Sequence, residues 1–360
     1  MATLRAMSSV FLLLMLCGTH LHDARAWGQQ QTAKPGPLGG ITADEAKSLE
    51  EGLKTSPDNL IAREELIRYY FEANLLSQDP KIEEQRDEQI FWLIENHPEV
   101  DLAGSPEADI QPVGYPGSAE KYQHGKELWL AQAGKHSDNA KILRSAAQFI
   151  FLYDREDGRK LLEEALAIEP GDQRAASMLA LSYTQERDAE KSPEAKAGLA
   201  EKALAVRQGT LNNADHQERF YALADLANSA LEAGHTAQAE QYAQELLRLA
   251  AEFTHNWNYG NAVHKGDIVL GRIALRDGNI VAAKEYLIAA GKTPGSPQLD
   301  SFGPNMTLAK ELLEKGERDV VLAYLNLCAQ FWKMGDSDLK NWRATIKGGG
   351  VPDFGANLNY

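Results

Sequence analysis

The side chains able to carry chemistry are histidines, carboxylates, two cysteines and one lysine-bearing glycine turn, and none of them is spaced as a reacting constellation. His97, His124, His136, His216, His235, His255 and His264 nowhere form the His-Glu-x-x-His pattern that brings two imidazoles to one zinc ion from one helix face. No metal site is expected. Gly291-Lys292-Thr293 ends like a phosphate-binding loop, in which backbone N–H groups close on a phosphate, but Tyr286 stands where the upstream glycine belongs and no strand pattern leads into it. The sequence also lacks a Gly-x-Ser-x-Gly elbow and a Gly-x-Gly-x-x-Gly turn. Carboxylates are abundant, but a general acid and base are paired by separation in space, and solvated helix faces account for most of them. No catalytic residue and no cofactor is expected.

Cys328 recurs with Val321, Tyr324, Leu325 and Trp332 at helical spacing, so its sulfur is read as a small buried hydrophobe rather than a reactive thiol. Its one companion, Cys17, lies in a leader with Arg5 near the start, an apolar run from Val10 to Cys17, and Ala24-Arg25-Ala26 as a small-x-small cleavage site. These features predict a signal peptide over 1–26, cleaved after Ala26, and an exported chain, periplasmic or secreted, with no intramolecular disulfide. Leu14-Met15-Leu16-Cys17-Gly18 loosely resembles a bacterial lipobox, although Leu16 stands where that motif has a small residue. Acylation of Cys17 would turn the soluble chain into a peripheral membrane protein. No later run approaches twenty apolar residues, so no transmembrane helix is expected. The formal charge of -15 disfavours nucleic acid as a partner.

The elements that must position any site read as helices throughout. After a flexible leader over 27–41, rich in Gln, Gly, Pro and Thr, Thr42 and Glu45 form a capping arrangement that opens N-terminal helical hairpins over 42–100. The turn-forming residues of Leu102-Ala103-Gly104-Ser105-Pro106 and Gly114-Tyr115-Pro116-Gly117 predict a Pro/Gly-rich connection over 101–120, either a spacer or a functional loop. Repeats follow over 121–294. Leu161-Leu162-Glu163-Glu164-Ala165-Leu166-Ala167-Ile168 returns 38 residues later as Leu199-Ala200-Glu201-Lys202-Ala203-Leu204-Ala205-Val206, a period that signals stacked helical hairpins. Residues 295–347 read as capping helices after a loop at Ser301-Phe302-Gly303-Pro304-Asn305. Residues 348–360 read as a flexible tail, disordered or docked on the protein's own surface, with a partner-binding peptide as the sharper alternative.

Leu270-Gly271, Gly278, Ala283, Leu287, Ala290 and Pro294, with parallel sets at Ala146, Gly158, Leu162, Ala165 and Pro170 and at Leu226-Ala227, Gly234, Ala239 and Ala243, resemble the tetratricopeptide repeat pattern. The resemblance implies an all-α, right-handed superhelical solenoid of antiparallel helix pairs whose first helices line a groove. It places Ala140, Leu143, Ala147, Ile150 and Leu231 on the lining with Tyr221, Asn228, Lys265 and Arg272. Asn228, Lys265 and Arg272 resemble part of the clamp that some members close on a partner's terminal carboxylate. Phe253, His255, Trp257 and Tyr259 form an adjacent aromatic set able to anchor a partner. The expected function is an extracytoplasmic scaffold holding a protein or peptide. Two alternatives are a helical hydrolase of envelope polymer, marked by a deep cleft with two facing carboxylates of shifted pKa, and a lipid-anchored assembly subunit of the cell envelope.

Overall fold

The computed structural model describes residues 40–77 and 79–358, without the side chains of residues 212 and 213. The expected signal peptide, its cleavage point, Cys17 and nearly all of the leader lie outside the described residues. Among those described there are sixteen α-helices and no strand, and none of the helices is long and apolar enough to cross a membrane. The chain divides into two compact units, Met1–Met178 and Leu179–Tyr360.

In the first unit, α1 (Ala43–Leu53), α2 (Leu60–Ser77) and α3 (Pro80–Asn96) pack in sequence. Thr42 starts α1 as read from the sequence: its hydroxyl accepts the Glu45 N–H at 3.3 Å while the Glu45 carboxylate accepts the Thr42 N–H at 2.8 Å, satisfying two of the orphan donors of the first turn. After the connection come α4 (Ser118–Lys135), α5 (Ala140–Phe151), α6 (Arg155–Ile168) and the first part of α7 (Gln173–Ala189). The connection is more than a spacer. It forms two 3-10 turns, Asp101–Gly104 and Pro106–Ala108, and buries Leu102, Ala103, Ala108 and Ile110. Gly104 is pressed so closely against α5 that a Cβ there would lie 2.3 Å from Ser145 Oγ.

In the second unit the repeating piece is a helical hairpin. α8 (Pro193–Gly209) packs on α9 (His216–Glu232), α9 on α10 (Thr236–Glu252), and α11 (Tyr259–Arg276) on α12 (Ile280–Gly291). The turns after α9 and α11 are built alike. Gly234 and Gly278 take φ of 86° and 78°. The next residue's N–H reaches back to close the helix, His235 to the Ala230 carbonyl and Asn279 to the Ala274 carbonyl, each at 2.8 Å. The left-handed residue lets the chain reverse at once while still satisfying the last carbonyls. The recurring octapeptide has one structural meaning in both copies: Leu161, Leu162 and Ala165 are buried in α6, and their counterparts Leu199, Ala200 and Ala203 are buried in α8. At two of the glycines where helices approach closely, no side chain fits. A Cβ on Gly271 would lie 2.3 Å from Leu308, and one on Gly158 2.7 Å from the Phe151 backbone.

The C-terminal helices α13 (Pro297–Phe302), α14 (Thr307–Glu314), α15 (Arg318–Phe331) and α16 (Asp336–Lys347) close the unit over one apolar cluster with α12 that includes Leu287, Leu312, Tyr324, Cys328 and Trp342. Ser301 and Phe302 end a short helix rather than open a loop. Ser296 caps that helix, with its hydroxyl accepting the Leu299 N–H at 3.0 Å and Pro297 at the first position; the irregular stretch begins at Gly303. The tail described through Leu358 is docked. Phe354 is 2% exposed and meets Trp342 edge-on, Asn357 donates to the Phe302 and Pro304 carbonyls at 3.0 and 2.9 Å, and the Asn357 carbonyl accepts the Met306 N–H at 2.8 Å. Apolar burial and saturated hydrogen bonds explain why a glycine-rich segment is ordered here.

Candidate functional site

Helical geometry puts Tyr221, Asp225, Asn228 and Glu232 on one stripe of α9, at spacings of four, three and four residues. Each member of the stripe except Asn228 is met by a residue from α11 or the segment before it. Trp257, 45% exposed, stacks on Tyr221 with ring centroids 5.8 Å apart and planes 27° apart. The Tyr221 hydroxyl accepts from Gln217 and Asn256, both at 2.8 Å, which fixes its ring. Lys265 Nζ reaches Asp225 at 3.4 Å. Arg272 Nη1 reaches Glu232 at 2.7 Å, and its Nε and Nη2 hold Glu311 of α14 at 2.9 and 2.8 Å. Asn228 is exposed, and among the described residues nothing hydrogen-bonds its amide.

The electrostatics separate the two basic residues. Arg272 is 7% exposed; burial would lower its pKa, but Glu232 and Glu311 outweigh it and hold the guanidinium charged. Burial likewise pushes the Glu232 carboxyl upward, and Arg272 with Arg187 pulls it below its ordinary value. For Asp225 the burial effect is overcome by Lys265 and Arg207. Its side chain nonetheless remains 53% exposed and open to water. Arg207, whose Nη1 donates to Ser229 at 2.7 Å, is pushed down by burial, with Asp225 opposing and Arg187 reinforcing the shift.

The structure therefore brings together Tyr221 with Trp257 and Lys265 with Asp225, and leaves Asn228 open between the Lys265–Asp225 and Arg272–Glu232 pairs. It does not assemble the clamp. Arg272 is committed to two carboxylates inside the protein, so its planar fork is unavailable to a third. Ala140, Leu143, Ala147, Ile150 and Leu231, expected on a groove lining, are all core residues at 6% exposure or less. The helices carrying them are covered on more than one side, which single-face periodicity does not reveal. The aromatic set also divides. Phe253 stacks on Phe220 in the core at 4.9 Å, His255 is exposed, Tyr259 is half-buried at the start of α11, and only Trp257 presents a ring to solvent beside α9. The acidic partners of the basic residues, Asp225 and Glu232 on the stripe and Glu311 on α14, are not among the expected groove residues. The signal for two of them was present in the α9 spacing, and their α11 partners lie 40 residues onward.

No family model matches the chain, and no curated protein is similar to it.

Proposed function

We propose that the chain is a repeat protein of tetratricopeptide type, its hairpins wound as a right-handed superhelix, that binds an extended segment of another protein along the α9–α11 stripe. The supporting observation is the exposed Trp257 ring braced on Tyr221, in line with the unbonded amide of Asn228. From Tyr221 to Glu232 the stripe runs about 16 Å at 1.5 Å per residue, the reach of about five extended peptide residues. Trp257 supplies an apolar anchor held in one orientation, so little side-chain entropy is lost on binding. Asn228 offers one acceptor and two donors, matching a peptide group of the partner. Lys265–Asp225 lies between these two and Arg272–Glu232 beyond Asn228, each as charges already paired, which favours an uncharged, amphipathic segment over a strongly acidic or basic one. Export after cleavage at Ala26 belongs to this reading, with acylation of Cys17 as its tethered variant; cell fractionation and the mass of the mature N-terminus distinguish the two.

The test is selection from a random-peptide display library, followed by anisotropy titration of the selected peptides against the parent and a Trp257→Ala, Asn228→Ala variant of unchanged helicity. The expected result is a set of peptides sharing an apolar anchor and weakened at least tenfold by the variant. A library without binders, or binders indifferent to both substitutions, overturns the proposal.

A further inference from the structure

In the first unit, α2, α3, α5 and the 101–117 segment enclose a cleft of about 610 Å³, within the ~300–1,000 Å³ typical of sites for small organic ligands. Its walls are largely apolar: Phe71 and Leu75 come from α2, Phe149 and Leu152 from α5 and its end. Its single cation is already committed. Arg86, 6% exposed, gives Nε and Nη2 to the Glu83 carboxylate at 3.0 and 2.9 Å, and Nη1 and Nη2 to the carbonyls of Glu107 and Asp109 at 3.2 and 2.9 Å. The guanidinium thus fastens the connection to α3, and Glu83, which also accepts from Asn74, neutralises it.

Several polar groups of the lining remain uncommitted, among them Ser105 Oγ and Asn74 Oδ1, both buried without a hydrogen-bond partner among the described residues. The Asp109 carboxyl has only the neighbouring Ile110 backbone as a hydrogen-bond partner, with Arg86 acting on it through space. Ser145, 5% exposed and against the Gly104 backbone, has a hydroxyl that bonds nothing among the described residues, and the Gln148 amide is likewise unbonded among them. One charged acceptor and a set of neutral polar groups in an apolar wall match a ligand with one positive charge, several N–H donors and an apolar body. An anionic ligand would meet Asp109 without an available cation. We propose that this cleft binds a small amphipathic primary amine, its ammonium paired with Asp109 and its apolar body against Phe71, Leu75, Phe149 and Leu152. Burial raises the Asp109 carboxyl to about 6 against the pull of Arg86, so the cleft holds a carboxylate that is poorly compensated by the protein, and an ammonium supplies the missing charge. The groups around that carboxyl are Arg86 on α3, Tyr122 on α4, and Tyr153 beyond α5; burial raises both tyrosines further above their ordinary value, away from the interval between pH 5 and 7.5. Its binding should therefore weaken about tenfold between pH 7.5 and 5, as Asp109 takes up a proton. This site is independent of the α9–α11 stripe, and either can fail without the other.

The experiment is calorimetric titration of the full chain with butylammonium, phenethylammonium and octylammonium, alongside 2-phenylethanol and 3-phenylpropionate as neutral and anionic counterparts. At pH 7.5 at least one ammonium should bind saturably and at least tenfold more tightly than its neutral or anionic counterpart, and Asp109→Asn should remove at least tenfold of that affinity. Asp109→Asn removes an unfavourable buried charge, so the variant should stay folded. Leu152→Trp, which fills the cleft without touching the carboxyl, provides a second blocking variant. The proposal fails if no ammonium in the series binds, if the alcohol or carboxylate binds equally well, or if neither variant weakens binding. It also fails if a lysine-containing peptide binds more tightly than every free amine, which would assign the cleft to a protein partner.

Discussion

Two basic residues drawn from the same sequence reading have opposite meanings in the fold. Lys265 is a surface side chain paired with a half-exposed Asp225, a class of ion pair worth ~0–1 kcal/mol. Arg272 is a buried cation between Glu232 and Glu311, and removing one partner from such a group strands the others, at ~3–5 kcal/mol. Chemical denaturation should therefore show Arg272→Ala lowering stability by about 3 kcal/mol and Lys265→Ala by less than about 1 kcal/mol. Equal effects would mean that Arg272 is hydrated and free. His264 makes a second residue-scale case. It is 1% exposed, its Nε2 accepts the Asn305 N–H at 2.9 Å, and its Nδ1 therefore carries the proton donated to the Ala290 carbonyl at 3.1 Å. The bond from Asn305 requires the neutral ring, because a protonated Nε2 cannot accept, and burial lowers the pKa from 6.5 to about 4 against the bond to Ala290, which favours the charged form. A lowered histidine contributes stability that is present above the unfolded value near 6.5 and is lost as pH falls through about 4, some 3 kcal/mol in all. Replacing it with Gln should flatten that part of the stability profile, measured by urea denaturation from pH 7 to 4.

At the scale of elements, the hairpin turns and the tail make the sharpest demands. Gly278 sits at φ 78°, where a Cβ costs ~1–2 kcal/mol, and it has open space around it. The cost of Gly278→Ala should therefore be purely conformational, about 1 kcal/mol by thermal unfolding, and Gly278→Asn should recover part of it because Asn tolerates the left-handed region. Gly271 is the opposite case, limited by space and not by φ, so Gly271→Ala should displace Leu308 and cost more. The docked tail acts as the last piece of the C-terminal cap. Phe354→Ala opens a void against Trp342 and should cost ~3 kcal/mol, with earlier loss of near-ultraviolet tryptophan signal. A tail that contributes nothing to the cap would leave both observables unchanged.

At the scale of the whole molecule, the two units should answer acid differently. Asp87 and Asp109 of the first unit are each raised to about 6, Asp87 chiefly by burial despite its bond from Tyr115. In the second unit Asp267 is raised by burial to about 6, opposite in sign to His264. A raised carboxyl contributes stability that is fully present below the unfolded value near 4 and is lost as pH rises through about 6, so acidification from pH 7 to 5 returns ~1 kcal/mol for each such group. The first unit should gain about 2 kcal/mol over that interval while the second stays level or loses slightly, read separately for each by hydrogen exchange. The sequence by itself determined what depends on near neighbours along the chain. Helical periodicity, the Thr42 cap, the glycine turns at 234 and 278, the small residues at crossings and the buried character of Cys328 are local signals, because a helix repeats every 3.6 residues and its ends are satisfied within one turn. What only the tertiary structure decided is whether a polar group is spent or open. Arg272 meets Glu311 39 residues away, Arg86 meets the Asp109 backbone 23 residues away, and Asn228 and Asp109 remain uncommitted. Such pairings depend on how hairpins stack, and one helix's spacing does not contain the side chains that its neighbour brings.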